Sequence, residues 1–173
     1  MLVPTSTRPY PDRMELIPGG ALARLEAGPD ALAVLRALAD RAVALGAAGP
    51  GFGDALLARE RVYPTGLPTP IGTAIPHADP EHVLQPGLMV ASLVRPVPFA
   101  QMGAGIGAHE GATEAVPVPV SLVVALLLRD ADEHLAALQA LMGHLTDEEK
   151  VREAVAAPDD ASLAAIVGGW FAG

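Results

Sequence analysis

A helical pattern of apolar positions is the first clear signal along the chain. In the stretch DALAVLRALADRAVALG, apolar residues recur three and four positions apart, which predicts an amphipathic helix with Asp30 as its N-cap and Gly46 just beyond its end. A second helix is expected over 54–61, and Thr146 is expected to cap a later one. The helices expected towards the C-terminal end cover 132–145, 147–157 and 160–171.

Strand-like segments lie between these helices. Short apolar runs bounded by proline and glycine predict strands at IGTAIP and GLMVASLV, and an edge strand at VPFAQM after a turn at Arg95-Pro96. MELIP is a candidate for a short first strand, and VYPTGLPTP is expected to be a loop. VPVSLVVALLL is apolar on both faces, which is typical of a central strand covered by helices on both sides. The expected fold is therefore α/β, a three-layer α/β/α sandwich with a mixed central sheet.

The length of 173 residues suits one domain with its own core and is too short for two of ordinary size. Residues 1–13 are polar and contain three prolines, so we expect a loose N-terminal leader there. Residues 14–173 are expected to form the single domain. Within it, the segment 103–119 is rich in glycine and alanine and has no periodicity, which indicates a flexible loop.

Composition and charge exclude several classes of function. The formal net charge of −9 and the scattered arginines argue against binding to nucleic acid. The longest mostly apolar run, 116–128, is too short to cross a bilayer, and the N-terminus lacks the apolar centre of a signal peptide. We therefore expect a cytoplasmic protein without direct membrane insertion. The absence of cysteine removes disulfides, cysteine-ligated metal and thiol chemistry.

Two familiar catalytic motifs are disfavoured by their context. The glycines at 103, 105 and 107 do not open an apolar helix, as a nucleotide-binding loop requires, and no Walker lysine is present. Ser92 and Ser121 lie inside expected strands, and the sequence has no G-x-S-x-G elbow, which argues against a serine hydrolase.

A metal site is also disfavoured, although four possible ligands lie close together in sequence. His77 and His82 are five residues apart, a spacing that does not place both on one helix face. Asp79 precedes Pro80, and this pair suits the N-cap and first turn of a helix, with Glu81 favourable to its dipole. We therefore expect neither a metal nor a cofactor.

His77 is the candidate functional residue that remains. Pro76 holds the chain extended through Ile75, so the His77 side chain emerges at the carboxyl end of a strand, where open α/β sheets place ligands. With a reference pKa of about 6.5, its imidazole is largely neutral at pH 7 and therefore nucleophilic. Such a ring nitrogen can accept a phosphoryl group and release it again. A structural histidine at a strand end is the plain alternative.

The sequence around His77 resembles a known family. LLARERVYPTGLPTPIGTAIPHADPEHV, followed by PVPFAQMG, is similar to the fructose/mannitol class of enzyme IIA proteins of the bacterial phosphoenolpyruvate-dependent sugar phosphotransferase system. Within that class it is most similar to the galactitol-type branch. GTAIPHA fits the family signature, and the Arg59-Glu60 pair and DEHL around His134 fit it as well. The resemblance covers about residues 14–170.

The resemblance implies a phosphotransferase component that acts as a phosphocarrier. His77 would take a phosphoryl group from the phosphohistidine of the general carrier HPr and pass it to a cysteine of an enzyme IIB. Since this chain has no cysteine, IIB and the membrane permease IIC are expected to be separate chains, with IIC an indirect partner. The glycine-rich segment 103–119 and the leader depart from the family pattern.

Two further residues are candidates for the same site. Arg59 ends a predicted helix ahead of the His77 strand, and its guanidinium matches phosphate oxygens bidentately, with Arg61 as the competing candidate. His134 lies early in the helix after the central strand, with Asp132 as its expected cap, where it could donate a hydrogen bond to a phosphoryl oxygen. Either side chain could instead be an ordinary solvated helix residue. The remaining histidines, expected to have no role in the site, are His82, His109 and His144.

Two alternative functions stay open from the sequence. A regulatory IIA protein would be phosphorylated at the same histidine and would act by binding other proteins, and nothing in the sequence excludes it. A non-phosphorylated domain of similar fold, such as the cytoplasmic parts of some anion transporters, is disfavoured because the Pro-His motif is retained. The transported sugar leaves no trace here, since an enzyme IIA does not contact it.

Overall fold

The computed structural model describes residues 15–103, 117–129 and 131–171, and of residues 131–134 and 137 it describes the backbone alone. The strands are β1 (Leu16–Leu25), β2 (Gly66–Leu67), β3 (Gly72–Ala74), β4 (Gly87–Phe99) and β5 (Val118–Leu127). The helices are α1 (Ala31–Ala44), α2 (Phe52–Val62), α3 (Ala131–Leu145), α4 (Glu148–Ala156) and α5 (Asp160–Phe171). The expected leader, 1–13, and most of the expected loop at 103–119 lie outside the described residues.

The strands form one mixed sheet in the order β1-β4-β5-β3-β2. β1 runs parallel to β4, and β3 runs parallel to β5. β4 is antiparallel to β5, and β2 is antiparallel to β3. Because β3 and β5 are parallel neighbours, their carboxyl ends lie at the same edge of the sheet.

The core consists of two apolar layers, one on each face of the sheet. Residues of α1 and α2 pack on one face, against alternate side chains of β5 such as Val123 and Ala125. Residues of α3, α4 and α5 pack on the other face, against the intervening side chains Leu122, Val124 and Leu126. The predicted three-layer α/β/α sandwich with a mixed sheet, and the prediction that β5 is a central strand, are therefore confirmed.

The region after Gly87 differs from the prediction of two strands separated by a turn. β4 continues for 13 residues through Arg95-Pro96, and it lies between β1 and β5 rather than at an edge. Its register with β5 is interrupted between Ser92 and Val97. A register irregularity lets the chain carry a proline, which donates no backbone hydrogen bond, inside a long strand.

The lengths of β1, β2 and β3 also differ from the sequence prediction. β1 is a strand of 10 residues rather than a short one, and its pairing with β4 is interrupted between Leu16 and Ala21. Gly19, with φ of 79°, lies in this interruption. Two adjacent glycines usually indicate the end of a strand, so the sequence pattern does not predict that β1 continues beyond them. In the expected loop VYPTGLPTP, Gly66 and Leu67 pair with β3 as β2, and β3 itself has three residues.

The helix predictions hold in their extent and fail at two caps. Asp30 caps α1, since its carboxylate accepts a hydrogen bond from the Ala33 amide at 2.9 Å. In α4 the cap is Asp147, which accepts from the Lys150 amide, while the Thr146 hydroxyl donates to the last carbonyls of α3. α3 begins at Ala131, so Asp132 lies inside the helix and is not its cap. Among the described residues, no helix combines the length and apolarity needed to cross a membrane.

His144 links the last three helices through its ring. The imidazole stacks on Trp170 at 5.7 Å between centroids, meets Phe171 edge-on at 5.0 Å, and lies with Nδ1 3.1 Å from Lys150 Nζ. Burial lowers the pKa of His144, the charge of Lys150 lowers it further, and Asp147 acts in the opposite direction. The folded protein therefore holds this histidine in its neutral form more strongly than the unfolded chain does.

This difference predicts a contribution of His144 to acid sensitivity. The unfolded chain binds the His144 proton more readily, so this part of the free energy of unfolding is present above about pH 6.5 and decreases as the pH falls from there through the lower folded-state pKa. Urea unfolding of the wild type and of His144→Gln between about pH 5 and pH 8 measures it. The wild type should lose more stability than His144→Gln over this range, and equal losses would contradict the assignment.

Candidate functional site

His77 lies just beyond β3, at the edge of the sheet where β3 and β5 end. It forms an isolated parallel bridge with Leu126 of β5, and the Leu126 amide donates to the Pro76 carbonyl at 2.9 Å. The residue is half-buried. Backbone pairing on the β5 side thus holds His77 at the carboxyl edge of the sheet, where its position in sequence places it.

The backbone next to His77 determines which ring nitrogen carries the proton. Nδ1 lies 3.0 Å from the carbonyl oxygen of Ile75. A carbonyl oxygen can only accept a hydrogen bond, so Nδ1 must be the protonated nitrogen in this contact. In the neutral ring with this tautomer, the lone pair is then on Nε2.

Arg59 reaches the His77 segment from the last turn of α2. Its guanidinium lies 3.5 Å from Asp79, two residues after His77, and 4.6 Å above the ring of Tyr63. Its Nε is buried and makes no hydrogen bond among the described residues. Arg61, the competing candidate, is exposed in the same turn. The structure therefore brings Arg59 to the segment that carries His77.

Asp79 has a different role from the predicted one. A short 3₁₀ turn, Pro80–His82, does follow it, but the Asp79 carboxylate makes no capping hydrogen bond and instead pairs with Arg59. The backbone N–H groups of an exposed three-residue turn bind a carboxylate more weakly than a nearby guanidinium does, because the charged donor makes the stronger hydrogen bond. Glu81 is 3.3 Å from His82 in the same turn.

Glu60 is a buried carboxylate next to Arg59 in the chain. One oxygen accepts from the Thr65 amide at 2.9 Å and the other from the Thr65 hydroxyl at 2.8 Å. Burial raises the pKa of Glu60, and the two hydrogen bonds from Thr65 act in the opposite direction. Sequence reasoning noted Glu60 only through the family resemblance and missed Thr65. A glutamate between two arginines at a helix end resembles a solvated residue, and no local pattern distinguishes it.

His134, the third predicted site residue, and Arg129 follow β5 at the same edge of the sheet in backbone terms. His134 is in the first turn of α3, which begins five residues after the Leu126 bridge, and its side chain is outside the described part of the chain. Arg129 directly follows β5, is exposed, and donates a hydrogen bond to the Leu84 carbonyl. Arg129 was not among the residues predicted from sequence, although its place directly after the buried strand was a usable signal.

The remaining histidines and the possible metal ligands are the last residues of interest. His82 lies in the 3₁₀ turn, His144 packs on the C-terminal helices, and His109 lies outside the described residues. Within residues 15–103, 117–129 and 131–171, no group of three or more histidine and acidic side chains is arranged to hold a metal ion.

The sequence matches one protein family over most of its length. Residues 22–168 match the family described as phosphoenolpyruvate-dependent sugar phosphotransferase system, EIIA 2. The chain belongs to this family. Membership implies a phosphotransfer component of the sugar phosphotransferase system. A comparison with curated protein sequences gives no significant match.

Solved structures of enzyme IIA proteins share the fold. The mannitol-specific cryptic phosphotransferase enzyme IIA CmtB from Escherichia coli is 24% identical, with a TM-score of 0.64 over 87% of this chain and 93% of that one. A chain from the complex of the E. coli mannitol enzyme IIA with phosphorylated enzyme IIB is 19% identical, with a TM-score of 0.65 over 87% and 95%. The nitrogen regulatory protein IIA-Ntr from Neisseria meningitidis is 22% identical, with a TM-score of 0.63 over 88% and 95%. These likenesses support the fold.

Proposed function

We propose that this protein is a phosphocarrier that accepts a phosphoryl group on His77 from phosphorylated HPr and passes it to a cysteine of a separate enzyme IIB, for coupled uptake of a sugar or sugar alcohol. The observation that carries the proposal is the contact between His77 Nδ1 and the Ile75 carbonyl at 3.0 Å. It leaves the lone pair on Nε2, at the carboxyl edge of a mixed sheet, in a chain of the EIIA 2 family.

The proposed transfer is a substitution at phosphorus. The Nε2 lone pair of His77 forms the new P–N bond, while the P–N bond of the donor phosphohistidine breaks and its electron pair returns to the donor imidazole. The Nδ1 proton stays on His77 and keeps its hydrogen bond to Ile75. In the second transfer the thiolate of IIB attacks the same phosphorus, and the electron pair returns to Nε2. Little covalent chemistry is needed, so positioning and charge stabilisation dominate.

Arg59 is the proposed stabiliser of the phosphoryl group. Its ion pair with Asp79 is long, at 3.5 Å, and partly exposed, so it is weak and can be exchanged for a phosphoryl oxygen. The Nε–H of the same guanidinium is buried and makes no hydrogen bond among the described residues, so it becomes a second, parallel donor once the guanidinium exchanges Asp79 for the phosphoryl group and moves. Stacking on Tyr63 limits the orientations that the guanidinium can adopt.

The experiment that tests the function follows the phosphoryl group through both transfers. The protein is incubated with phosphoenolpyruvate, enzyme I and HPr, and then with purified enzyme IIB. We expect one acid-labile, base-stable phosphate per chain, which moves to a base-stable thiol linkage on IIB in the second step. A protein that takes up no phosphate from phosphorylated HPr contradicts the proposal.

A regulatory IIA protein, phosphorylated at the same histidine, is the second candidate. It is favoured by the observation that a nitrogen regulatory protein shares this fold at a TM-score of 0.63. The IIB step separates the two functions, because a regulator would be phosphorylated by HPr without feeding a cognate IIB. Neighbouring genes for IIB and IIC would favour uptake.

The galactitol-type assignment is part of the proposal and is supported by GTAIPHA and its flanking sequence.

His134 gives a further prediction for this site. We propose that it donates a hydrogen bond to the phosphoryl oxygens from the first turn of α3, where unpaired helix N–H groups also favour an anion. His134→Ala should still be phosphorylated at His77 but should pass the group to IIB roughly tenfold more slowly, the loss of about one charge-assisted hydrogen bond. Single-turnover transfer measures this rate. An unchanged rate, or an experimental structure with the imidazoles more than about 8 Å apart, contradicts it.

A further inference from the structure

We propose that Glu60 is a positioning residue for His77. Glu60 acts through Thr65 and Ile75 to hold the backbone of His77 in place and to keep the proton on Nδ1. This role rests on the proposed function of His77 and assigns no contact between Glu60 and the phosphoryl group. It gives the buried carboxylate of the family's Arg-Glu pair a purpose that its position beside Arg59 does not explain.

The first step of the connection is a two-point contact between Glu60 and Thr65. Both carboxylate oxygens are engaged by one residue, by its amide at 2.9 Å and by its hydroxyl at 2.8 Å. Glu60 is 7% exposed and Thr65 is 2% exposed, so water does not compete for these bonds. Two short bonds from one acceptor group fix both the backbone and the side chain of Thr65.

The second step runs from Thr65 to His77. The Ile75 amide donates to the Thr65 carbonyl at 3.2 Å, and the neighbouring Gly66 pairs with Ala74 across the β2–β3 ladder. Ile75 is itself buried, and its carbonyl accepts from His77 Nδ1 at 3.0 Å. Hydrogen bonds therefore connect Glu60 to the proton of the histidine ring through two buried residues.

The cost of the arrangement argues that it serves more than packing. A carboxylate buried in place of an apolar residue loses its hydration, and burial does raise the pKa of Glu60 although Thr65 donates two hydrogen bonds to it. Arg59 lies in the same helical turn as Glu60. Anchoring Glu60 therefore also holds the backbone from which the Arg59 side chain extends, as well as the end of β3 before His77.

Glu60→Gln tests this role with almost no change in volume. The glutamine carbonyl can accept from the Thr65 amide, but the glutamine NH2 group can only donate to the Thr65 hydroxyl, so both charge-assisted hydrogen bonds to Thr65 are lost. We expect the transfer rate constant from phosphorylated HPr to fall roughly tenfold, with the KM for HPr unchanged, because misplacing a reacting group slows the chemical step. Long-range ¹⁵N NMR of the unphosphorylated protein should show a larger population of the Nε2–H form of His77 than in the wild type.

Matched variants separate positioning from a general loss of stability. Thr65→Val removes the hydroxyl donor and should show both effects. Thr65→Ser retains the hydroxyl and should have the wild-type rate and tautomer. Glu81→Gln removes an exposed carboxylate close to His77 in the chain and should change neither. If Glu60→Gln does not fold, Thr65→Val and Thr65→Ser carry the test.

One result would overturn the proposal: a wild-type His77 tautomer together with a wild-type transfer rate in Glu60→Gln and Thr65→Val. If the unfolding free energy of both variants is lower at the same time, Glu60 is structural only. The tautomer measurement needs no phosphorylated donor, so failure of the positioning role and failure of the phosphocarrier function are distinguishable.

Discussion

The His77→Ala protein is expected to take up no acid-labile phosphate from phosphoenolpyruvate, enzyme I and HPr, while the wild type takes up one phosphate per chain. The nucleophile of the proposed transfer is Nε2 of His77, and alanine has no atom that can form the P–N bond. The loss should be complete rather than partial, since the P–N bond of the proposed transfer cannot form at position 77. Intact-mass measurement and retention of radiolabelled phosphate at alkaline pH give the result.

His82→Ala is the matched control for this experiment. His82 lies five residues further along, in the 3₁₀ turn beside Glu81, and should be dispensable for phosphorylation. His82→Ala should therefore take up phosphate at the wild-type rate, and unfolding curves should show that His77→Ala remains folded. Uptake by His77→Ala, or loss of uptake in His82→Ala, would move the phosphorylation site away from His77.

Arg59→Ala should slow phosphoryl transfer without preventing it. Loss of one charge-assisted contact to the transition state corresponds to roughly tenfold to a thousandfold, on the order of 1.4–4 kcal/mol. The guanidinium reaches the His77 segment through Asp79, whereas Arg61 is exposed in the same turn, so Arg59 is the arginine of this turn better placed for the role. Rapid-quench single-turnover transfer from phosphorylated HPr measures the rate.

Arg61→Ala is the internal control, because Arg61 occupies the same turn and is exposed. It should transfer phosphate at close to the wild-type rate. The transfer rate of Arg59→Lys should lie between the rates of the wild type and of Arg59→Ala, since lysine keeps the charge and loses the planar pair of donors. Equal losses in Arg59→Ala and Arg61→Ala would show that general positive charge, and not this guanidinium, supports the transfer.

Several elements follow from local pattern and were predictable for that reason. The Asp30 cap and the apolar repeat after it define α1, and 160–171 is helical as expected. The apolar run that becomes β5 is buried on both faces, as its composition requires. His77 lies at the end of a strand because Pro76 keeps the preceding residue extended, which is a local steric effect.

Other elements were not predictable because their pairing depends on distant segments. β4 passes through Arg95-Pro96 as one strand, since its two halves pair with β5 on either side of a register irregularity. Gly66 and Leu67 form β2 only because β3 lies beside them. A proline or a glycine marks a break in a local pattern, and neighbouring strands can hold the chain extended through that break.

The candidate site shows the same division between local and long-range causes. The sequence alone determined the residue types, the family signature around His77 and its place at a strand end, because these depend on neighbours along the chain. Only the tertiary structure decided the partners: Asp79 pairs with Arg59, 20 residues away, instead of capping its own turn, and Thr65 closes on Glu60 in the interior. Such choices depend on which donors and acceptors the packed fold brings within hydrogen-bonding distance, and periodicity along the chain carries no information about that.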